Sequence, residues 1–249
     1  MAIITLTTDF GTADGYVGAM KGVIASRAKA QIVDIAHDIP PGDIAHAAWV
    51  IKTACVEFPD QTIHVIVVDP GVGGKRRGVV LEHQSSIYIG PDNGIFTYLQ
   101  PAWVRAIENP QIMADSVSAT FHGRDVFACV AAFIADHGQI TEIGSRVALE
   151  GTLPWGPCAE GEGRVVHIDH FGNLITDLPR DQAGTSVAIA GHRLRLVRTY
   201  EDVPSGELLA YIGSAETVEI AVRDGRADTR LSVPRGTRVV PVADGDAYR

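Results

Sequence analysis

The stretch Ile63–Arg77, IHVIVVDPGVGGKRR, decides how this chain is read. Ile63, Val65, Ile66, Val67 and Val68 form an almost continuous apolar run of strand length, which predicts a strand buried on both faces. The run stops at Asp69-Pro70. Gly71-Val72-Gly73-Gly74 then predicts a tight loop that delivers Lys75, Arg76 and Arg77. A carboxylate at the C-terminal tip of a buried strand, with guanidinium groups returning through a glycine turn, is a site-building arrangement, because open α/β sheets collect ligands at the carboxyl ends of their strands. Arg76 beside Asp69 would hold the carboxylate ionised and fix its orientation. A surface ion pair is the plainer alternative. A phosphate cradle is weaker, since the loop lacks GxxxxGK[ST] spacing.

Strands and helices alternate on either side of this stretch. Ile3–Thr8 reads as a strand running into Asp9-Phe10-Gly11, and Tyr16, Met20, Val23 and Ile24 follow at helical spacing. Ile32–Ile35 is a short strand. Asp43 is placed to cap a helix carrying Ile44, Ala47, Ala48, Ile51 and Cys55. Strand pieces at Val79–Glu82 and Ile87–Ile89 come next, then a helix over Asp125–His137 with Val126, Val130, Phe133 and Ile134 on one face. This pattern predicts an α/β domain with a largely parallel sheet covered on both sides. The proline- and glycine-rich LPWGPCAEGEG (Leu153–Gly163) marks a change of character. Beyond it, short strands are predicted at Arg164–Asp169, Leu174–Asp177, Ser186–Ala190, Leu194–Thr199, Leu208–Ile212, Thr217–Val222 and Arg238–Val242, separated by turn-forming residues. That pattern suggests a small β-barrel or sandwich. The expected division is 1–155 and 156–249.

Bulk properties narrow the class. The 249 residues are 46% apolar and 20% charged, a globular balance, and the net charge of −9 argues against a nucleic-acid partner. Cys55, Cys129 and Cys158 include no CxxC pair, and the first two sit in apolar helical patterns as buried structural thiols. No apolar run reaches the roughly 20 residues of a membrane span, and the N-terminus has no basic segment of a signal peptide. The expectation is a soluble, cytoplasmic protein. The histidines show no ligand spacing, so no metal is expected.

Three further places carry candidate chemistry. Asp9, at the tip of the first strand, can accept both hydroxyls of a ribose or simply cap a turn. His122, in Thr120-Phe121-His122-Gly123-Arg124-Asp125, can orient a water, act as a base, or be a plain helix-entry residue. Asp169-His170-Phe171-Gly172-Asn173 reads locally as a hairpin turn, although the Asn173 amide could also recognise a polar headgroup.

The segments TTDFGTADGYVGAMKG, IVDIAHDIPPGDI, VVDPGVGGKRR, IGPDNGIF, TFHGRDVFA and IDHFGNLITDL occur in this order and cover nearly the whole chain. Together they resemble the S-adenosylmethionine hydroxide adenosyltransferase family, relatives of the fluorinating and chlorinating enzymes that use the same substrate. The resemblance implies a Rossmann-like N-terminal α/β domain and a C-terminal β-barrel domain. It also implies a homotrimer whose active sites lie between the N-terminal domain of one subunit and the C-terminal domain of its neighbour. The implied reaction converts S-adenosylmethionine and water to adenosine and L-methionine, with no cofactor beyond the substrate itself. Asp9 is then expected at the ribose diol, and Asp69, Arg76 and His122 at the attacking water. Asp169 and Asn173 fall at the methionine end, with Ser214 at its carboxylate. Glu219, which is no part of that family set, is a further candidate to meet the amino group, in compensation for the missing arginine beside Ser214. The halogenating relatives drop the charged set, so its retention favours water over halide. Two places depart from those relatives: Gly42 stands where the fluorinating enzyme has a tryptophan, and Ala215 where they have an arginine. A binding or sensing protein with negligible turnover is the alternative, and a metal-dependent phosphate-ester hydrolase a third reading.

Overall fold

A computed structural model describes residues 1–153, 155 and 160–242, so Cys158 lies outside the described residues. The chain forms two compact units, Met1–Pro154 and Trp155–Arg249.

The first unit is built on a six-stranded sheet. In chain order its elements are β1 (Ala2–Thr8), α1 (Tyr16–Arg27), β2 (Ala30–Ala36), α2 (Ile44–Ala54), β3 (Ile63–Val67), β4 (Gly78–His83), β5 (Ser86–Pro91), β6 (Trp103–Ala106), a π-helical turn over Gly123–Ala128 and α3 (Cys129–His137). The strand order is β2-β1-β3-β5-β4-β6. Side-chain alternation sends Ile4, Leu6, Val65 and Val67 to the face covered by α1 and α3, while Ile66 and Val68 pack with Ala47 and Ile51 of α2. Both faces are therefore covered, and every residue of β3 is buried. The Asp43 carboxylate caps α2 by accepting the His46 N–H at 3.0 Å.

The sheet is mixed rather than largely parallel. β1 runs parallel to β2 and β3, and β3 parallel to β5, but β4 is antiparallel to both β5 and β6. The cause is the connection between β4 and β5. Gln84 and Ser85 both have positive φ (47° and 62°), and so short a turn can join only antiparallel strands.

The second unit contains β7 (Gly163–Ile168), β8 (Leu174–Pro179), β9 (Ser186–Ile189), β10 (His192–Arg195), β11 (Leu208–Ile212), β12 (Thr217–Val222), α4 (Ala227–Leu231) and β13 (Arg238–Pro241). Its sheet, β10-β9-β13-β7-β8-β12-β11, is antiparallel throughout. It curls around Val165, Leu178, Val187, Ala210, Ile220 and Val239. Just beyond β10, the Val197 N–H reaches Ala210 O of β11 at 2.9 Å, and Leu196 bridges Ala210. The two edges nearly meet, giving a near-closed β-barrel. The strand expected at Leu194–Thr199 lies instead at His192–Arg195, because the alternation of Leu194 and Leu196 continues past the point where the chain leaves its partner β9. Among the described residues no helix is long and apolar enough to cross a membrane.

Candidate active site

The route of the chain through β1, β2 and β3 makes the site. β1 connects outward to β2, and the chain then crosses back to place β3 on the other side of β1. The crevice at the carboxyl ends of β1 and β3 is thus a topological switch point, where doubly wound sheets bind ligands. Thr8 pairs with Val67, so Asp9 and Asp69 leave neighbouring strands at nearly the same level. Gly42 sits between them: its N–H donates to Asp9 Oδ2 at 2.8 Å, and its Cα faces the Pro70 ring.

Asp69 and Arg76 meet as the sequence suggested. Arg76 Nε donates to Asp69 Oδ1 at 3.0 Å and its terminal nitrogen to Asp69 Oδ2, a bidentate pair whose carboxylate side chain is only 4% exposed. The same terminal nitrogen donates to His122 Nδ1 at 2.8 Å. Arginine has no acceptor, so Nδ1 carries a lone pair and the ring proton sits on Nε2. Burial, then the Arg76 charge, push the His122 pKa below the ordinary imidazole value, with Asp69 and Asp125 pulling the other way. His122 is therefore neutral at pH 7, with Nε2–H as a donor.

Two glycines bring these elements together. Gly73 has φ +72° and lies on the backbone of Ala119, where a Cβ would run into the carbonyl oxygen. This close approach seats the Asp69–Arg76 loop on the segment leading to His122. Gly123 packs on Val67, Met20 and Phe10, which fixes the start of the π-helical turn beside the tips of β1 and β3. Arg77 does not join Asp69. It reaches Asp92 Oδ2 at 2.8 Å and Ala148 O at 2.9 Å, while Asp92 also accepts the Glu150 and Gly151 N–H groups, so this pair ties down the last stretch of the first unit.

In the second unit, Asp169-Asn173 is the β7–β8 hairpin turn, with the Asp169 N–H bonded to Asn173 O and Gly172 at φ +86°. The turn also organises polar groups. Asp169 accepts the Asn173 backbone N–H at 2.8 Å and its side-chain amide at 2.9 Å. The amide also donates to Tyr200 Oη at 3.1 Å, Tyr200 and Tyr211 hydroxyls are 2.7 Å apart, and Tyr211 donates to Glu219 Oε2. One-way donation satisfies the whole chain, from Asn173 through Tyr200 and Tyr211 to Glu219. Burial, reinforced by the Asp169 charge, raises the Glu219 pKa, and the Tyr211 hydroxyl opposes it. Ser214 is exposed at the β11–β12 turn, next to Gly213, against which the Glu219 carboxylate is packed. No sequence motif marks Tyr200 or Tyr211.

Cavity size does not mark this chemistry. A cavity of about 600 Å³ opens at the opposite ends of the strands, beside Ile3 and Ile63. One of about 390 Å³, along the β4–β6 side, is walled in part by Arg76 and His122. Among the described residues no group of three or more His, Cys, Asp or Glu side chains could hold a metal ion.

Residues 4–144 match the SAM hydroxide adenosyltransferase N-terminal domain and residues 163–240 the C-terminal domain of the same family. The chain belongs to the SAM hydroxide adenosyltransferase family. Within that family it is similar to the (R)-S-adenosyl-L-methionine hydrolase of Thermus thermophilus, at 38% identity over 96% of this chain and 99% of that one. A crystal structure of an uncharacterized conserved protein from Thermotoga maritima superposes with a TM-score of 0.84 at 33% identity, covering 95% of this chain and 98% of that one. A fluorinase of Nocardia brasiliensis is more distant, at 26% identity over 78% of this chain and 77% of that one.

The seating of the glycine loop generates a stability prediction. Gly73→Ala adds both a strained positive φ and an overlap with Ala119. It is expected to destabilise the protein by about 1–3 kcal/mol in urea denaturation. An unchanged midpoint would contradict the packing described.

Proposed function

We propose that this protein hydrolyses S-adenosylmethionine to adenosine and L-methionine by attack of water at the ribose C5′. The observation that carries this reading is the single guanidinium of Arg76 bonded to both Asp69 and His122. This hydrogen-bonded set, with the Asp69–Arg76 pair largely withdrawn from water, has a donor at His122 Nε2 and acceptor lone pairs on Asp69. A water accepting from Nε2–H and donating to Asp69 keeps one lone pair for C5′. Such positioning supplies up to about 7–11 kcal/mol where the geometry is near-attack.

The sulfonium leaves as a neutral thioether, so no acid is needed at the leaving group. When the C5′–O bond forms and the C5′–S bond breaks, the oxygen briefly carries both water protons. That protonated hydroxyl is a far stronger acid than any carboxylic acid, so even an arginine-paired Asp69 can take the proton. His122 cannot take it without breaking the bond to Arg76. We therefore assign Asp69 as proton acceptor, Arg76 as its holder and His122 as the donor that aims the water.

Asp9 is assigned to the ribose diol, Asp169 and Asn173 to the methionine end, Ser214 to its carboxylate and Glu219 to its amino group. The relatives' name specifies the (R) sulfonium epimer, which we extend to this chain. The same reading supports a homotrimer with sites shared between subunits, and a cytoplasmic location.

Purified protein should release adenosine and methionine in equal amounts from S-adenosylmethionine. Asp69→Asn is expected to lower kcat by about 10²–10⁴-fold while substrate binding survives in calorimetry. Full turnover by that variant would remove the role given to Asp69. The pH–rate profile is a separate check. A lowered His122 pKa keeps the neutral ring to lower pH, so the acid limb should fall below the ordinary imidazole value of about 6.5. An acid limb at or above that value would contradict the Arg76–His122 bond.

A further inference from the structure

Behind Asp9 lies a polar chain, buried at His37 and Thr8 and reaching the surface at Asp34, that plays no part in the reaction above. His37 is 7% exposed and Thr8 fully buried. His37 Nδ1 is 2.8 Å from Thr8 Oγ1, and Thr8 Oγ1 in turn accepts the Phe10 N–H at 3.3 Å. The His37 carbonyl accepts the Gly11 N–H at 2.8 Å. His37 therefore grips the residues on both sides of Asp9. Its Nε2 lies 3.0 Å from Asp34 Oδ1, and Lys21 Nζ holds Asp34 Oδ2 at 2.6 Å. Asp34 lies off the straight N–H direction, leaving Nε2 without an aligned hydrogen bond, so the link is electrostatic more than directional. The carboxylate still favours the proton on Nε2. Nδ1 then accepts the Thr8 O–H, which frees a Thr8 lone pair for Phe10.

The backbone is adapted to this contact. In a regular strand, residues three apart point to opposite faces, so Asp34 and His37 would not meet. The β1–β2 register slips between Leu6–Asp34 and Thr7–Ala36, leaving Ile35 as an extra residue. A bulge of this kind re-aims side chains, and here it turns His37 to the side where Lys21, Asp34 and Thr8 already point.

We infer that the Asp34–His37–Thr8 chain is a positioning device that holds Asp9 for recognition of a vicinal diol on the bound nucleoside. The inference rests on the assignment of Asp9 to the ribose. His37 and Thr8 are positioning residues, because they reach the ligand only through the Asp9 turn.

The test compares affinities for adenosine and 2′,3′-dideoxyadenosine by calorimetry, which needs no turnover. The wild-type protein should prefer adenosine by at least about tenfold, the weight of hydrogen bonds to a charged group. His37→Asn should erase that preference by weakening adenosine binding alone, with Thr8→Val doing the same and Thr8→Ser restoring it. Asp34→Asn, at a half-exposed position that spares the core, provides a second variant should His37→Asn fail to fold. A general structural role would weaken both ligands alike. That result, or a preference retained in folded His37→Asn or Asp34→Asn, overturns the inference. A wild-type protein without the preference refutes the ribose assignment of Asp9 and the brace's purpose with it. Loss of hydrolysis with the preference intact would refute only the reaction.

Discussion

One guanidinium holds the first unit's chemistry together. Arg76 spends its donors on the two oxygens of Asp69 and on Nδ1 of His122, and those partners come from separate parts of the chain. Both members of the ion pair are largely withdrawn from water, at 12% and 4% side-chain exposure. Removing one partner of such a pair strands the other and typically costs about 3–5 kcal/mol. The glycine loop, the close approach at Gly73 and the approach of His122 are therefore linked conditions. The loop must curl tightly enough to return Arg76, and the Ala119 backbone must come close enough to bring His122 to it.

The sheet determines what stands opposite this set. Because the chain winds outward from β1 to β2 and then back across to β3, the tips of β1 and β3 flank an open crevice. Asp9 and Asp69 occupy those tips. The π-helical turn at Gly123–Ala128 starts beside the same tips, a place where such turns often serve function. The second unit holds a different arrangement, a hairpin turn and a hydroxyl chain ending on a buried carboxylate, which the proposed function assigns to the methionine headgroup.

Much of this was legible in the sequence. The apolar run of β3, its abrupt end at Asp69 and the short glycine return point to a guanidinium partner from Arg76 or its neighbour. The β11 and β12 strands, Leu208–Ile212 and Thr217–Val222, fall where short strand-forming runs between turn residues put them. Other features depend on contacts far along the chain. Arg77 has the same side chain as Arg76 one residue away, and only the fold shows that it faces Asp92. The edge strand Trp103–Ala106 and the helix Ala227–Leu231 are too short to carry a period. The antiparallel β4 departs from the expected parallel sheet because two turn residues, Gln84 and Ser85, adopt positive φ. Tyr200 and Tyr211 are 11 residues apart, in a short 3-10 turn and in β11, so no local period brings their hydroxyls together, and the bulge at Ile35 is invisible to pattern reading.

Water, oriented by Asp69 and His122 and attacking C5′, is the central claim. Turnover of S-adenosylmethionine in ¹⁸O-labelled water tests it directly by mass spectrometry of the products. The account predicts one ¹⁸O in the 5′-hydroxyl of adenosine and none in the methionine. Label in the methionine, or an adenosine free of label, would contradict it.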